Sequence, residues 1–414
     1  MAPAATDSDP MIASVREHAA SFMDDTIALR RTLHQWPELG NELPITQEHV
    51  LTALDGLPLD VTLHESTSGI AATLEGSAPG PTILLRGDMD ALAMPEDTGL
   101  DFASRHDGRM HACGHDTHTA MLVGAAKLLS ERRNEFAGRV LFMFQPGEEG
   151  HHGARFMLEE GLLDVGPLAD GSASPVDAAF AIHMTSSLPS GWVSTKGGAL
   201  LASADRVIIR ITGKGGHASE PFRAVDPIPV ACEIVTALQA MITRRINVFD
   251  PAVVTVGRIT AGTTNNVIPE SAEIEGTIRA VSESTRAKVH EGIRRVAENI
   301  AEAHGCGGDV EIIYGYGVTT NDDAFADFSL GVAADVAGPD STVRQPNPIM
   351  GAEDFSYVLN ELPGAMVFLG GTPHSANPAK AAPNHSNRVF FEEASMSTGI
   401  SLYAATALRH LATA

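Results

Sequence analysis

Apolar residues in the first part of this chain fall into two patterns, short continuous runs and helical spacing. The short β-rich runs predict buried strands over 81–86, 139–144 and 178–182. The stretch 117–133, between the first two strands, has apolar residues at helical spacing and predicts a helix. This strand–helix–strand order favours an α/β fold, with a mostly parallel sheet covered by helices.

The middle of the chain has a different pattern, which predicts a second domain. We expect strands at 206–211, 252–258, 273–279 and 309–313, and helices at 228–245 and 283–304. In the second helix one face carries Val289, Ile293, Val296 and Ile300, and Gly305 marks its end. Two helices with about four strands form a compact α/β sandwich. We therefore predict an inserted domain at 197–314, and a first domain made of 1–196 and 315–414.

Composition fits a soluble two-domain protein and excludes some partners. A chain of 414 residues is too long for one ordinary core. Its formal net charge of -24 argues against nucleic acid or an anionic membrane surface as a partner. No signal peptide or membrane-spanning run is visible, and three cysteines form no disulfide framework. These features favour a cytoplasmic protein.

Polar, chemically reactive residues follow the predicted strands of the first domain. Arg86-Gly-Asp-Met-Asp90 comes after the first strand, and His111-Ala-Cys-Gly-His-Asp-Thr-His118 comes immediately before the helix. Cysteine and histidine are the ligands that zinc and similar ions prefer. Three histidines in eight residues are hard to explain as separate structural residues. The sequence therefore predicts a metal site here.

Further candidate ligands and a candidate base follow the next strands. In Gln145-Pro-Gly-Glu-Glu-Gly150 one carboxylate can bind a metal while its neighbour acts as a general base, although a charged turn is the simpler alternative. His183 directly follows a strand, and His385 lies in Asn384-His385-Ser386. His374 is an alternative to His385. One cysteine, three histidines and a glutamate would suffice for a two-metal site with an activated water.

The inserted domain carries a glycine-rich turn at 212–221. Its Gly213-x-Gly-x-x-Ala218 spacing resembles a dinucleotide fingerprint, but Pro221 follows too early for a helix that starts at the glycines. We interpret it as a turn that presents His217. Asn266 and Arg279 could hold an oxyanion and a carboxylate, although a turn Asn and a strand-surface Arg are equally good interpretations.

Together the motifs resemble a known family. Arg-Gly-Asp-Met-Asp-Ala-Leu, His-Ala-Cys-Gly-His-Asp-x-His and Gln-Pro-x-Glu-Glu-Gly, in this order, are similar to those of bacterial hippurate hydrolases and plant indole-acetyl-amino-acid amidohydrolases. Both belong to the aminoacylase and carboxypeptidase superfamily of metallohydrolases. Gly-Lys-Gly-Gly-His-Ala, Asn-Val-Ile-Pro, Gly-Thr-Ile-Arg and Gly-Ala-Glu-Asp-Phe agree as well, so the resemblance covers roughly 25–405.

The resemblance implies roles for individual residues. It implies that two divalent ions are held by Cys113, His115, Glu149, His183 and His385. It further implies that Glu148 is the general base, that Asp90 orients a ligand, and that 351–355, from Gly351, line the active site. The inserted domain would be a ferredoxin-like dimerisation domain. His217 would polarise the substrate carbonyl from the partner subunit, which would make a homodimer necessary.

The expected activity is hydrolysis of the amide bond of an N-acyl amino acid. The resemblance admits zinc, manganese, nickel or cobalt, and Cys113 favours a borderline-soft ion such as zinc. A dipeptidase or carboxypeptidase is the nearest alternative, and a non-catalytic metal-binding protein or a nicotinamide oxidoreductase are more distant ones. Gly147 stands where the family commonly has alanine, and we expect that exchange to change little.

Overall fold

A computed structural model describes residues 9–413. The predicted absence of a signal peptide concerns mainly residues 1–8, which lie outside this range. The chain divides into two compact units. The first comprises the chain up to Gly198, Thr320–Pro346 and the part from Tyr357 onward. The second comprises Ala199–Thr319 and Asn347–Ser356.

Helices and strands alternate through most of the described residues. The helices are α1 Pro10–Ser21, α2 Met23–Gln35, α3 Pro44–Leu54, α4 His115–Glu131, α5 Gly153–Glu159, α6 Pro227–Arg245, α7 Glu283–Ala303, α8 Asp323–Ala337, α9 Ser356–Glu361 and α10 Ser395–Thr413. The strands are β1 Asp60–Leu63, β2 Ile70–Glu75, β3 Thr82–Asp88, β4 Arg139–Gln145, β5 Val176–Pro189, β6 Val193–Thr195, β7 Gly198–Leu201, β8 Asp205–Thr212, β9 Gly216–His217, β10 Ala252–Ala261, β11 Val267–Ile268, β12 Ser271–Ala280, β13 Gly307–Tyr314, β14 Thr319–Asn321, β15 Thr342–Arg344 and β16 Gly364–Thr372.

The first unit is built on an eight-stranded mixed sheet with the order β1-β2-β4-β3-β5-β16-β6-β15. Its central strands β4, β3, β5 and β16 run parallel to their neighbours in this group. Strands β3, β4 and β16 are buried along their whole length and β5 over most of its length, as expected for strands covered on both faces. The predicted strands β3, β4 and β5 and the helix α4 are confirmed. The carboxyl ends of β3, β4 and β5 therefore share one edge of the sheet, where ligands collect in such folds.

The second unit has the order β8-α6-β10-β12-α7-β13 along the chain. Its four strands pair antiparallel as β10-β12-β8-β13, which is the ferredoxin-like arrangement. All four strands and both helices of this sandwich were predicted from the sequence pattern. On α7 the most buried apolar positions are Val289, Ile293, Ala297 and Ala301, while Val296 and Ile300 are only partly buried. Small alanines face the sheet where Gly308 approaches the helix.

Two further features of the second unit lie outside its four-stranded sheet. Strands β9 and β11 form a short antiparallel ribbon in which His217 is opposite Val267. The segment Asn347–Ser356 joins this unit, because the Ala202 N–H donates to the carbonyls of Ile349 and Gly351 at 3.0 and 2.9 Å. No helix in residues 9–413 is both long and apolar enough to cross a membrane.

Candidate metal centre and active site

Five predicted metal ligands of the first unit come together at the carboxyl edge of its sheet. The sulfur of Cys113 lies 3.4 Å from Nε2 of His183 and 3.3 Å from Nε2 of His385. The same Nε2 of His385 is 3.2 Å from Oε1 of Glu149. Residues that are far apart in the sequence thus offer nitrogen, sulfur and oxygen donors at one place.

The donor atoms form two groups that share one thiol. Cys113, His115 and His183 have ligand atoms within 4.8 Å of one another, and so do Cys113, Glu149 and His385. Histidine, cysteine and carboxylate donors of this kind suit zinc and related divalent ions. The arrangement could therefore hold two ions, and Cys113 belongs to both groups of donors.

The turn before α4 explains how Cys113 and His115 reach this point. Gly114 adopts a φ of +95°, where residues with a side chain are rare. A Cβ at this position would also lie 3.0 Å from the ring of Phe391 and 3.1 Å from Cβ of Met184. Glycine is thus required both by the backbone conformation and by the close packing. His115 follows as the first residue of α4.

Hydrogen bonds set the orientation of two of the predicted ligand histidines. Nδ1 of His115 donates to the carbonyl of Asp90 at 2.9 Å, and Nδ1 of His183 donates to the carbonyl of Met184 at 2.7 Å. In both rings Nε2 is then the nitrogen available to a metal. The Nε2 of His115 is buried and makes no hydrogen bond to any residue between 9 and 413. A buried, unsatisfied nitrogen within reach of Cys113 and His183 fits a metal ligand.

Electrostatics favour the ionised, ligating forms of Cys113 and Glu149. Burial acts to raise the pKa of Cys113, but the charges of His183 and His115 outweigh it and lower the pKa to about 5. Burial likewise opposes ionisation of Glu149, yet its hydrogen bond with His385 lowers the pKa of the carboxyl group. Hydrogen bonds to Cys113 and Glu149 raise the pKa of His385 to about 10, so a metal ion would have to displace a proton from this ring. The centre therefore contains buried negative charge that attracts cations.

Asp90 holds the loop that carries the two glutamates. Its Oδ1 accepts the N–H of Glu148 and its Oδ2 accepts the N–H of Glu149, both at 3.0 Å. The two glutamate side chains diverge: Oε1 of Glu149 reaches His385, while Oε2 of Glu148 lies 3.9 Å from Nε2 of His115. Glu148 is only 5 % exposed. One carboxylate thus lies among the ligands and the other stands beside them.

The structure leaves no room for a side chain at Gly147. Gly147 has a φ of +66°, and a Cβ there would lie 1.8 Å from Oδ1 of Asn41. Asn41 in turn donates from Nδ2 to the carbonyl of His151 at 3.0 Å. Glycine at this position lets the glutamate loop fold against Asn41.

The remaining histidines of the motif 111–118 belong to neither of the two groups that contain Cys113. Both ring nitrogens of His118 are occupied, Nδ1 by Asp88 and Nε2 by the N–H of Met184. His111 is buried, which lowers its pKa to about 3, and it belongs to no ligand group in residues 9–413. His374, the alternative to His385, is exposed and is likewise absent from the ligand groups of that range.

Sequence reasoning missed the contacts that support Asp116, the residue after His115. The carboxylate of Asp116 lies 2.8 Å from Nε of Arg30 and 2.8 Å from Nδ1 of His34, and all three side chains are buried. Arg30 and His34 are four residues apart, hence on one face of α2. The spacing of Arg30 and His34 is the only local feature of the sequence that points to these contacts, and many surface helices show the same spacing.

The predicted substrate-binding residues lie in the second unit. His217 and Asn266 share the β9–β11 ribbon, where the N–H of Ala218 donates to the carbonyl of Asn266 at 3.1 Å. Arg279 lies on β12 opposite Val253, and half-burial lowers its pKa. Gly351 lies in the segment that joins this unit. The structure therefore brings His217 and Asn266 together.

Comparison with known proteins finds relatives along most of the chain. Residues 84–409 match the model of peptidase family M20/M25/M40. The chain is 39% identical over 362 residues to an N-acetylcysteine deacetylase of Bacillus subtilis, covering 87% of this chain and 92% of the relative. It is 34% identical over 405 residues to thermostable carboxypeptidase 1 of Saccharolobus solfataricus, covering 96% of this chain and 98% of the relative.

A solved structure extends the similarity to the fold. The crystal structure of a dinuclear metal-binding M20 peptidase from Bacillus subtilis has a TM-score of 0.81 and 35% identity, over 95% of this chain and 100% of that one. The family model covers most of the chain, and the relatives align over nearly their whole length. The chain is therefore an enzyme of the M20/M25/M40 family of metallohydrolases.

Proposed function

We propose that this enzyme hydrolyses the amide bond of N-acyl amino acids, such as hippurate or N-acetyl amino acids, to a carboxylic acid and a free amino acid. The observation that carries the proposal is the pair of ligand groups that share Cys113, with Glu148 beside them. Its similarity to an N-acetylcysteine deacetylase supports an N-acyl substrate.

The ligands would hold two divalent ions. Cys113, His115 and His183 would bind one, and Cys113, Glu149 and His385 the other. Zinc or manganese is the first choice, with nickel or cobalt as alternatives, and the thiolate favours a borderline-soft ion such as zinc. When bound, such ions lower the pKa of the attacking water and polarise the scissile carbonyl.

Glu148 is the proposed general base. Its backbone is fixed by Asp90, and its carboxylate stands near the ligands while that of Glu149 reaches His385. It would accept a proton from the attacking water at one carboxylate oxygen and deliver it to the leaving nitrogen of the amide. Its nearly complete burial keeps other water away from this carboxylate.

The second unit would bind the rest of the substrate. His217 and Asn266 would donate to the developing oxyanion, and Arg279 would pair with the carboxylate of the amino acid, near Gly351. We propose that His217 acts on the site of a partner subunit, in a homodimer formed through the second unit. In support, the outer edge of β10 has no partner strand among the described residues, and Ile259 on it is 48 % exposed.

Substitution Glu148→Gln tests the role of the base. A neutral amide cannot take the proton, so kcat for an N-acetyl amino acid should fall by about 10²–10⁴-fold, with metal content unchanged. Glu159→Gln is the matched control, because Glu159 is exposed and pairs only loosely with Arg155 at 3.5 Å. Normal hydrolysis by a folded, metal-loaded Glu148→Gln protein would rule out the proposal.

A carboxypeptidase or dipeptidase is the second candidate, favoured by the similarity to thermostable carboxypeptidase 1. A substrate panel separates the two. We expect N-acetyl, N-benzoyl and indole-acetyl amino acids to be cleaved with higher kcat/KM than dipeptides with a free α-amine and the same C-terminal residue. The reverse order would favour the peptidase.

A further inference from the structure

We propose that His118 is a positioning residue for the metal centre: it fixes the main chain of Met184 and thereby aims the imidazole of His183 at its ion. The inference rests on the proposed metal ligands of the first unit. It gives a role to the third histidine of the motif 111–118, which neither ligand group of the proposed centre requires.

The hydrogen bonds of His118 determine its tautomer. His118 is fully buried on α4, where Nδ1 donates to Oδ1 of Asp88 at 2.5 Å and Nε2 accepts the N–H of Met184 at 2.6 Å. An imidazole that donates at one nitrogen and accepts at the other is neutral, and it has no lone pair left for a metal. His118 therefore acts on the centre only through its neighbours.

Sheet topology explains why Met184 needs this contact. The parallel pairing of β3 with β5 ends at Arg86 opposite Ala181, three residues before Met184. On its other side β5 continues to pair with β16, where Met184 is opposite Leu369. Beyond Ala181 the side of β5 that faces β3 has lost its strand partner, and the ring of His118 supplies the acceptor there.

The carbonyl group of Met184 contacts a predicted ligand directly. It accepts Nδ1 of His183 at 2.7 Å and Nδ2 of Asn384 at 2.9 Å. Asn384 also donates to the carbonyl of Cys113 at 3.3 Å. Any shift of Met184 thus moves the acceptor that sets the ring of His183.

Asp88, which accepts the hydrogen bond from Nδ1 of His118, is itself held in place by a buried ion pair. Oδ2 of Asp88 is 2.6 Å from Nη1 of Arg86, and both side chains are fully buried. Arg86 also donates from Nε to Oε1 of Gln145 at 2.8 Å. His118 is therefore held from one side and can act as a fixed support for Met184.

Two substitutions separate the two hydrogen bonds of His118. In His118→Asn the amide nitrogen sits near the place of Nδ1 and can keep the bond to Asp88, but the acceptor for Met184 is lost. In His118→Gln the amide oxygen reaches the place of Nε2 and can keep that acceptor. We expect His118→Asn to lower the affinity for one of the two bound ions by about 10–100-fold. The zinc affinities of His118→Gln should stay close to those of the wild type.

The measurement is equilibrium competition for Zn²⁺ between the purified protein and a chromophoric chelator, with folding checked by circular dichroism. His290→Asn is the matched control, because His290 also pairs with a buried carboxylate, that of Asp205 at 2.8 Å, but in the second unit. His290→Asn should leave both zinc affinities unchanged, and His118→Asn should weaken binding at Cys113, His115 and His183 more than binding at Cys113, Glu149 and His385.

Three results would overturn the inference. The first is a folded His118→Asn protein that binds both ions with wild-type affinity. The second is a folded His118→Gln protein that loses one ion, which would also decide the matter if the Asn variant does not fold. The third is loss of an ion in His290→Asn. A wild-type protein that does not bind two zinc ions would instead refute the metal centre itself.

Discussion

At the scale of single residues, backbone conformation shapes the loop that carries Glu148 and Glu149. Gly153 closes the loop, since its N–H donates to the carbonyl of Gly147 at 3.1 Å and a Cβ on it would lie 1.7 Å from the carbonyl oxygen of Pro146. Gly147 opens it in a left-handed conformation against Asn41. The position of the proposed base thus depends on two residues without side chains.

Gly147→Ala should therefore destabilise the protein and slow hydrolysis. The left-handed φ costs about 1 kcal/mol, and displacement of Asn41 adds about 1–3 kcal/mol. Gly150→Ala is the control, because Gly150 has a φ of +86° but no atom within 4 Å of its Cβ position. Urea unfolding measures the loss of stability, and kcat measures the slower hydrolysis. Equal losses in the two variants would contradict the steric argument.

At the scale of elements, buried ion pairs attach helices to the sheets or to other helices. In the first unit Arg30 of α2 holds Asp116 of α4. In the second unit Asp205, at the start of β8, receives Arg286 of α7 at 2.6 Å and His290 of the same helix at 2.8 Å. Asp205 thus links the first strand of the sandwich to its second helix.

Asp205→Asn should cost about 3 kcal/mol of unfolding free energy at pH 7, because it leaves a largely buried Arg286 with only the exposed Glu283 as a charged partner. Burial opposes ionisation of Asp205, but hydrogen bonds from Arg286 and His290 lower its pKa below the ordinary 3.8. A carboxyl group whose pKa is lowered in the folded state stabilises the fold at pH values above its ordinary pKa. This stabilisation is lost progressively as the pH falls below that pKa.

The difference in unfolding free energy between wild type and Asp205→Asn should therefore shrink when urea unfolding is repeated near pH 3. Asp309→Asn is the control, since Asp309 is largely exposed and lies 3.8 Å from Arg210, and it should change little at either pH. A difference for Asp205→Asn that is the same at both pH values would refute the electrostatic explanation.

The elements near the strand ends were predictable, whereas the contacts between distant segments were not. Cys113, His115, Glu149 and His183 stand next to predicted strands or a helix start, so their meeting follows from the shared edge of a parallel sheet. The support from Arg30, His34 and Asn41 comes from segments outside any motif. Such contacts depend on how the helices and loops pack, which leaves no local periodicity in the sequence.

At the scale of the whole molecule, the two units carry different parts of the proposed chemistry. The ligands and Glu148 belong to the first unit, while His217, Asn266 and Arg279 belong to the second. If His217 serves the site of a partner subunit, neither unit of one chain completes the site without a second chain.

Mixing two inactive variants tests this division. Glu148→Gln and His217→Ala chains, unfolded and refolded together, should regain about one quarter of wild-type activity, since half of the dimers are mixed and each has one intact site. Each variant refolded alone is the control and should stay inactive. A mixture no more active than its components would show that His217 serves its own chain or no site.

Metal-dependent hydrolysis is tested most directly by titrating the metal-free protein with zinc or manganese and measuring the release of the amino acid from an N-acetyl amino acid. We expect no release without the ion and a rate that rises until about two ions are bound per chain. Undiminished release by the metal-free protein, or no release from the fully loaded protein with any N-acyl amino acid, would contradict it.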